Sequence, residues 1–180
     1  MLVARKKRKE NIAEYLLYMF QIEDLIRAFK FDIDEIDRSL VSQYDEDYET
    51  KREIREWYKS IATMMKENNL ESSGHIPLIQ GLINSVNDIH LDLLQNKKEK
   101  EYTDLYNQSK AAIEELRVRS GDPEKNDVEI CLNGLYGLLM LKIQKKEINP
   151  ETEKAFESIS KMLAVLSHYF HEQEEGKQEF

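Results

Sequence analysis

The apolar residues of this chain recur at three- and four-residue steps along most of its length, which is the spacing that aligns side chains on one face of an α-helix. Glycine and proline number only 6 and 3, where average usage would give about 13 and about 9, so few turns interrupt the helices. The pattern therefore predicts an all-α fold, a single antiparallel bundle of six or seven helices. The apolar stripes cover residues 12–29, 33–40, 54–65, 79–93, 102–116, 128–143 and 156–170.

Capping residues mark several helix starts independently of this spacing. Asn96 and Asn126 are each followed three residues later by glutamate, and Asn149 is followed by proline, which suits the first helical position. These residues predict helix starts at the three asparagines. We expect one helical-bundle domain over residues 1–175 and a frayed polar tail over 176–180.

The segment from Val128 to Ile143 differs from the other stripes, because its apolar residues occupy nearly the whole helix circumference. We therefore expect a buried central helix near 128–146. Gly134 and Gly137 lie inside it, and each costs about 1 kcal/mol of helix propensity relative to alanine. Close approach of a neighbouring helix is the expected compensation at both positions.

The charge distribution limits the classes of partner. The formal net charge is −9, and the basic run from Arg5 to Lys9 contributes +5, so the other residues together carry −14. Recognition of nucleic acid needs a basic stripe that displaces counterions from phosphates, so we expect no nucleic-acid partner. We interpret the basic run as the solvated start of the first helix, with weak polyanion binding as its alternative.

The sequence also indicates a compartment. Four charged residues between positions 14 and 27 interrupt the first apolar stretch, so it does not resemble a secretion signal. No stretch reaches the roughly 18 to 20 apolar residues of a membrane span, so we expect no membrane association. The single cysteine, Cys131, excludes an internal disulfide and suits a reducing compartment, and its place on an apolar face predicts a buried, unreactive thiol. We expect a soluble cytoplasmic protein.

Two polar residues are expected inside the bundle. His90 falls near the centre of the stripe that runs from 79 to 93, and Glu23 lies at the margin of the first stripe. Because an unpaired buried charge is costly, Glu23 needs a partner, and we predict His90, with Tyr15 as a third member. The pair is either a structural hydrogen bond or an interior acid/base or metal position.

Metal chemistry has a second, weaker candidate set, His90, His168 and His171. Helix geometry places His168 almost opposite the core stripe of the last helix, and His171 about a third of a turn from it, so both are expected to face outward. The Glu-x-x-His repeats of di-iron bundles are absent as well, so we predict no cofactor. His75 lies in a predicted loop and has no expected partner.

Three stretches of the sequence carry a family resemblance: KENIAEYLLYMFQIEDLIRA (9–28), VNDIHLDLL (86–94) and YGLLMLKIQKKEINPET (136–152). Together they resemble a bacterial family catalogued only as a domain of unknown function. The resemblance spans most of the chain and implies a soluble, all-helical bacterial protein. It implies no activity and no site residues.

Two functional interpretations follow. Leu17, Tyr18 and Leu25 lie outside the main stripe of the first helix, and the sequence shows no complete catalytic constellation. The first interpretation is a non-enzymatic protein-interaction or scaffold module that associates with itself or with another protein. The alternative is a small-ligand-binding or metal-dependent bundle enzyme with an interior polar site around Glu23 and His90, whose ligand the sequence leaves open.

Overall fold

The computed structural model of the protein describes residues 2–96 and 99–178. Over these residues the chain forms eight α-helices and one short 3₁₀ turn, without a β-strand, which confirms the all-α prediction. The helices are α1 (Leu2–Glu10), α2 (Ile12–Ala28), α3 (Ile33–Ser39), α4 (Tyr48–Glu67), α5 (Pro77–Asn96), α6 (Lys100–Ser120), α7 (Asp127–Ile143) and α8 (Pro150–Gln178), and the 3₁₀ turn is Val41–Gln43.

The basic run lies in a separate helix, α1, so the eight helices of the described residues exceed the predicted six or seven. α1 ends before Asn11, whose extended backbone and side chain cap α2 by accepting the Glu14 N–H. Ser167 of α8 donates to Asn11 Oδ1 over 2.9 Å, and the Ala13 N–H lies 3.4 Å from the same hydroxyl oxygen. This contact holds the break between the two helices against α8.

Two of the three predicted helix starts are confirmed. The side chain of Asn126 accepts the Glu129 N–H at 2.8 Å, and that of Asn149 accepts the Thr152 N–H at 2.7 Å. The start predicted at Asn96 is wrong, because this residue is the last of α5 and the next helix begins at Lys100. Asparagine is also tolerated at helix C-terminal ends, so the residue type alone does not distinguish the two ends.

Buried side chains of all eight helices form one hydrophobic cluster. The longest helix, α8, packs along α6 and also contacts α2, α5 and α7. α7 in turn contacts α2, α5 and α6, so it has neighbours on several sides. This arrangement places α2 and the start of α7 close to the loop that precedes α5.

Only part of α7 is buried, which corrects the prediction of a buried helix over 128–146. Residues 128–132 are buried and Leu138 is the last buried residue, whereas Leu141 and Ile143 are 39% and 61% exposed. The helix itself ends at Ile143. An all-round apolar pattern does not show how far the neighbouring helices extend, and here they leave residues 141–143 uncovered.

The two glycines of α7 have different surroundings. A methyl group at Gly134 would lie 2.7 Å from Leu116 Cδ1 of α6 and 3.0 Å from Phe156 Cε1 of α8, so the predicted close approach is confirmed there. Gly137 is exposed, and a methyl group on it would meet no atom within 4 Å. The compensation predicted at Gly137 is therefore wrong.

This difference predicts opposite effects for the same substitution. We expect Gly134→Ala to lower the free energy of unfolding by about 1 kcal/mol, because overpacking outweighs the gain in helix propensity. Gly137→Ala is the matched control, and we expect it to raise the free energy of unfolding by about 0.5–1 kcal/mol. Urea unfolding followed by circular dichroism measures both; equal effects of the two substitutions would contradict the expectation.

Candidate functional site

Glu23 of α2 is fully buried and forms two hydrogen bonds to the loop before α5. Its Oε2 lies 2.6 Å from Nδ1 of His75, and its Oε1 accepts the Ile76 N–H at 2.9 Å. The predicted partner of Glu23, His90, is therefore wrong, and His75 takes its place. The carboxyl group also lies at the N-terminal end of α5, where the helix dipole favours negative charge.

The loop that carries His75 is held to α2 by a second residue, Arg27, one helical turn from Glu23. Arg27 Nε donates to the Leu70 carbonyl at 3.0 Å, and Nη2 donates to the Gly74 carbonyl. Gly74 has a φ of 89°, a left-handed conformation that glycine adopts without strain. Two side chains of one helix thus fix the loop at four of its residues, 70, 74, 75 and 76.

His75 stands at the edge of a cleft with its ring stacked on Phe20. The ring centroids are 3.8 Å apart with an interplanar angle of 14°, and the His75 side chain is 14% exposed. The cleft has a volume of about 460 Å³ and lies between α2, the loop, the start of α5 and α7. We call it the polar cleft, because charged, amide and hydroxyl groups make up most of its lining.

Hydrogen bonds organise the far wall of the polar cleft. Tyr136 of α7 donates to Asp24 Oδ2 of α2 at 2.7 Å, and burial together with this bond raises the pKa of Tyr136. Glu129 is nearly buried; it accepts a hydrogen bond from Gln80 at 3.1 Å and lies 3.2 Å from Lys125 Nζ. Polar groups from helices distant in sequence therefore converge on one space.

Tyr15, the predicted third member of the Glu23 pair, lies eight residues before Glu23 on the same helix. The side chain is buried, and burial raises its pKa; the negative charge of Glu23 raises it further, while Arg8 acts in the opposite direction. None of the hydrogen bonds between described residues joins Tyr15 to the pair. Tyr15 therefore contributes to the surroundings of Glu23 rather than to its hydrogen bonding.

His90 points into the core, as predicted, but it belongs to a different polar cluster. Its Nδ1 lies 2.5 Å from Tyr102 Oη, and its Nε2 lies 3.6 Å from Asp127 Oδ2. Both ring nitrogens thus face polar partners, and the ring is almost fully buried. This arrangement is that of a satisfied structural histidine.

Asp127 is the centre of this second cluster. It accepts a hydrogen bond from Tyr106 at 2.9 Å and another from Arg117 Nη2. The neighbouring His90 ring is the main cause that holds the pKa of Asp127 below its usual range, and Tyr106 and Arg117 act in the same direction. Burial and the neighbouring Asp127 raise the pKa of Tyr106 to about 12. Burial likewise raises the pKa of the adjacent Cys131 thiol.

The remaining histidines lie on α8. His168 is exposed and 3.3 Å from Glu172, as its predicted outward direction requires. His171 is half-buried against Phe170 and its Nε2 is buried, so its predicted outward direction is wrong. Over residues 2–96 and 99–178, no three His, Cys, Asp or Glu side chains are grouped closely enough to hold a metal ion, so the structure does not gather His90, His168 and His171.

Sequence reasoning assigned no partner to His75, although the residue lies in the loop SSGHIP, two residues before the proline that begins α5.

Neither the comparison with curated proteins nor that with solved structures gives a match. The family model of the Domain of unknown function (DUF4924) matches residues 1–177. The chain therefore belongs to the DUF4924 family, in agreement with the resemblance of its three sequence stretches.

Proposed function

We propose that this domain binds a small polar molecule in the polar cleft. The observation that carries the proposal is the convergence of His75, Asp24, Glu129 and Tyr136 on one space of about 460 Å³. Small-molecule sites typically occupy about 300–1,000 Å³, a range that includes this cleft, and its mostly polar lining favours a polar ligand. The interior polar site expected around Glu23 is thus retained, with His75 in place of His90.

The charges of the lining favour a neutral or cationic ligand. Arg27 and Lys125 are its two cations, and both are occupied: Arg27 by Asp24 and two carbonyls, and Lys125 by Glu129. The lining also holds a third acid, Asp122. An anionic ligand would have to displace an existing ion pair, whereas hydroxyl or ammonium groups can use the carboxylate oxygens.

A mixture screen tests ligand binding. We expect ligand-observed NMR with small polyols, amines and nucleosides to find binders. In protein-observed spectra these binders should shift the amide signals of Gly74 and Tyr136. Ser73→Trp should block the cleft and weaken binding about tenfold or more. Ser85→Trp, on an exposed face of α5, is the matched control and should leave binding unchanged. Binding that ignores Ser73→Trp, or no binder in the screen, would contradict the proposal.

The second candidate function is the interaction module, and a separate observation favours it. The end of α7 exposes Leu141 and Ile143, and other residues of the same helix line an apolar groove of about 370 Å³. Leu17, one of the three residues outside the first stripe, lines this groove with Leu135 and Leu139. Exposed apolar surface of this kind is typical of interaction sites.

A second copy of the chain is the partner we propose for this groove. Glu14 and Lys142 both line it, so a two-fold arrangement can place the acid of one protomer against the base of the other. We expect sedimentation to show a dimer, and Ile143→Glu to convert it to a monomer. Val118→Glu, at another exposed apolar residue, is the matched control. A wild-type monomer at high protein concentration would exclude this candidate.

We also propose that the helices form a single antiparallel bundle and that the protein is cytoplasmic. The common hydrophobic cluster supports one antiparallel bundle over residues 1–175. α8 continues to Gln178, and residues 179 and 180 of the expected tail lie outside the described residues, so its fraying stays a prediction. None of the described helices is long and apolar enough to cross a membrane. The cytoplasmic location likewise stays a prediction.

A further inference from the structure

We infer that His75 is an acid–base group whose Nε2 accepts a proton from a hydroxyl, amine or water held in the polar cleft. Glu23 is the positioning residue that orients the ring. This inference rests on the proposed ligand-binding function and adds a chemical activity to the same site. The ligand class it implies is a small polar molecule with an exchangeable proton.

The hydrogen bond with Glu23 assigns the tautomer of His75. A carboxylate oxygen accepts, so the hydrogen of the pair lies on Nδ1, and the lone pair of the neutral ring lies on Nε2. The distance of 2.6 Å is short for such a bond, as expected when one partner is charged. Among the described residues, Nε2 of His75 has no hydrogen-bond partner, so it is left for a ligand.

The ring is also held in one orientation. Glu23 is fixed by its second bond to the Ile76 N–H, and Phe20 covers one face of the imidazole. Arg27 holds the preceding loop residues through two carbonyls. A group fixed in this way does not lose rotational freedom when it meets a ligand, which is the condition for efficient proton transfer.

Comparison with the other histidines supports the assignment. His90 is buried, with both nitrogens facing polar partners, so it cannot reach a ligand. His168 is on the surface of α8, and His171 has its Nε2 buried. His75 combines a carboxylate partner, partial exposure and a place in the lining of a cleft.

The proton balance of the step is simple. A ligand X–H transfers its proton to Nε2, which leaves X with the electron pair and the ring as imidazolium. The Glu23 carboxylate then faces the positive ring through Nδ1–H and stabilises it. The proton returns from Nε2 in the reverse step, so no further reactant is needed.

Diethyl pyrocarbonate tests the nucleophilicity of Nε2 without knowledge of the ligand. The imidazole nitrogen attacks one carbonyl carbon, the C–O bond breaks, and the ring keeps an ethoxycarbonyl group while ethyl carbonate leaves. At about pH 8, where an ordinary imidazole is neutral, we compare the modification rates of His75 and His168 in one wild-type sample by peptide mass spectrometry.

The two histidines differ in exposure, 14% against 69%, so accessibility alone predicts slower modification of His75. We expect His75 to react at least as fast as His168, and Glu23→Gln to slow His75 by about fivefold or more while His168 stays unchanged. Glu53→Gln, on an exposed face of α4, is the matched control.

Slower reaction of His75 than of His168 in the wild type overturns the inference, as does a smaller effect of Glu23→Gln in the folded variant. If the buried His90 of the variant is also modified, the variant is unfolded. The modification rates of His75 and His168 in the wild type then decide whether the inference holds. Diethyl pyrocarbonate reacts with His75 without any bound ligand, so an unreactive His75 and a screen without binders are separate results. A bound ligand with an unreactive His75 would retain the proposed function and remove only the acid–base role.

Discussion

Replacing Glu23 by alanine is expected to lower the free energy of unfolding by about 3–5 kcal/mol. The substitution leaves the buried Ile76 N–H without an acceptor and removes the partner of His75 Nδ1. It also opens a cavity in the fully buried position that the carboxyl group occupied.

Denaturant unfolding followed by circular dichroism measures this effect at neutral pH. Glu53→Ala is the matched control: the residue lies on an exposed face of α4, so we expect a change within about 0.5 kcal/mol. A loss below about 1 kcal/mol for Glu23→Ala would contradict the expectation. Combination with His75→Ala completes a double-mutant cycle, and the two losses should not add, because the residues share one hydrogen bond.

Replacing Asp127 by asparagine is the second large expected effect, about 2–3 kcal/mol at pH 7. The side chain keeps its shape, but the negative charge that faces His90, Tyr106 and Arg117 is lost. The amide also presents a donor where these neighbours need an acceptor. Asp104→Asn, on an exposed face of α6, is the matched control and should change stability by less than about 0.5 kcal/mol.

The pH dependence of this effect has a definite sign. The pKa of Asp127 is lower in the folded protein than in the unfolded chain, so its contribution to stability is fully present above the unfolded value of about 3.9. That contribution is lost as the pH falls through the folded pKa. The stability difference between wild type and Asp127→Asn should therefore shrink below about pH 4. A difference that stays constant from neutral to acid pH would contradict the role of the charge.

The sequence predicted the positions of single residues on helices better than the contacts between residues of different elements. His90 was expected to face inward and does so, and Glu23, expected at the margin of the core, is buried. Both follow from the fixed angle between successive residues of one helix. The pairing of these two residues was wrong, because it depends on how α2 and α5 approach each other. His75 was missed because a loop has no periodicity to orient its side chains.

Gly134 and Gly137 show the same limit of prediction from sequence within one helix. Their sequence context predicts one role for both, yet only Gly134 meets side chains of α6 and α8. Likewise, the apolar pattern predicted burial to residue 146, whereas the neighbouring helices leave the end of α7 exposed. Burial of a helix depends on the lengths and crossing positions of its neighbours. The spacing of residues along one helix does not contain this information.

The sequence by itself determined that the chain is all-helical, where most of its helices lie and which face of each is apolar, because these properties depend on neighbours within about four residues. Only the tertiary structure decided that Glu23 meets His75, that His90 meets Asp127 and Tyr102, and that a polar cleft lies between α2 and α7. These contacts join residues far apart in the chain, and their geometry comes from the packing of whole helices against one another.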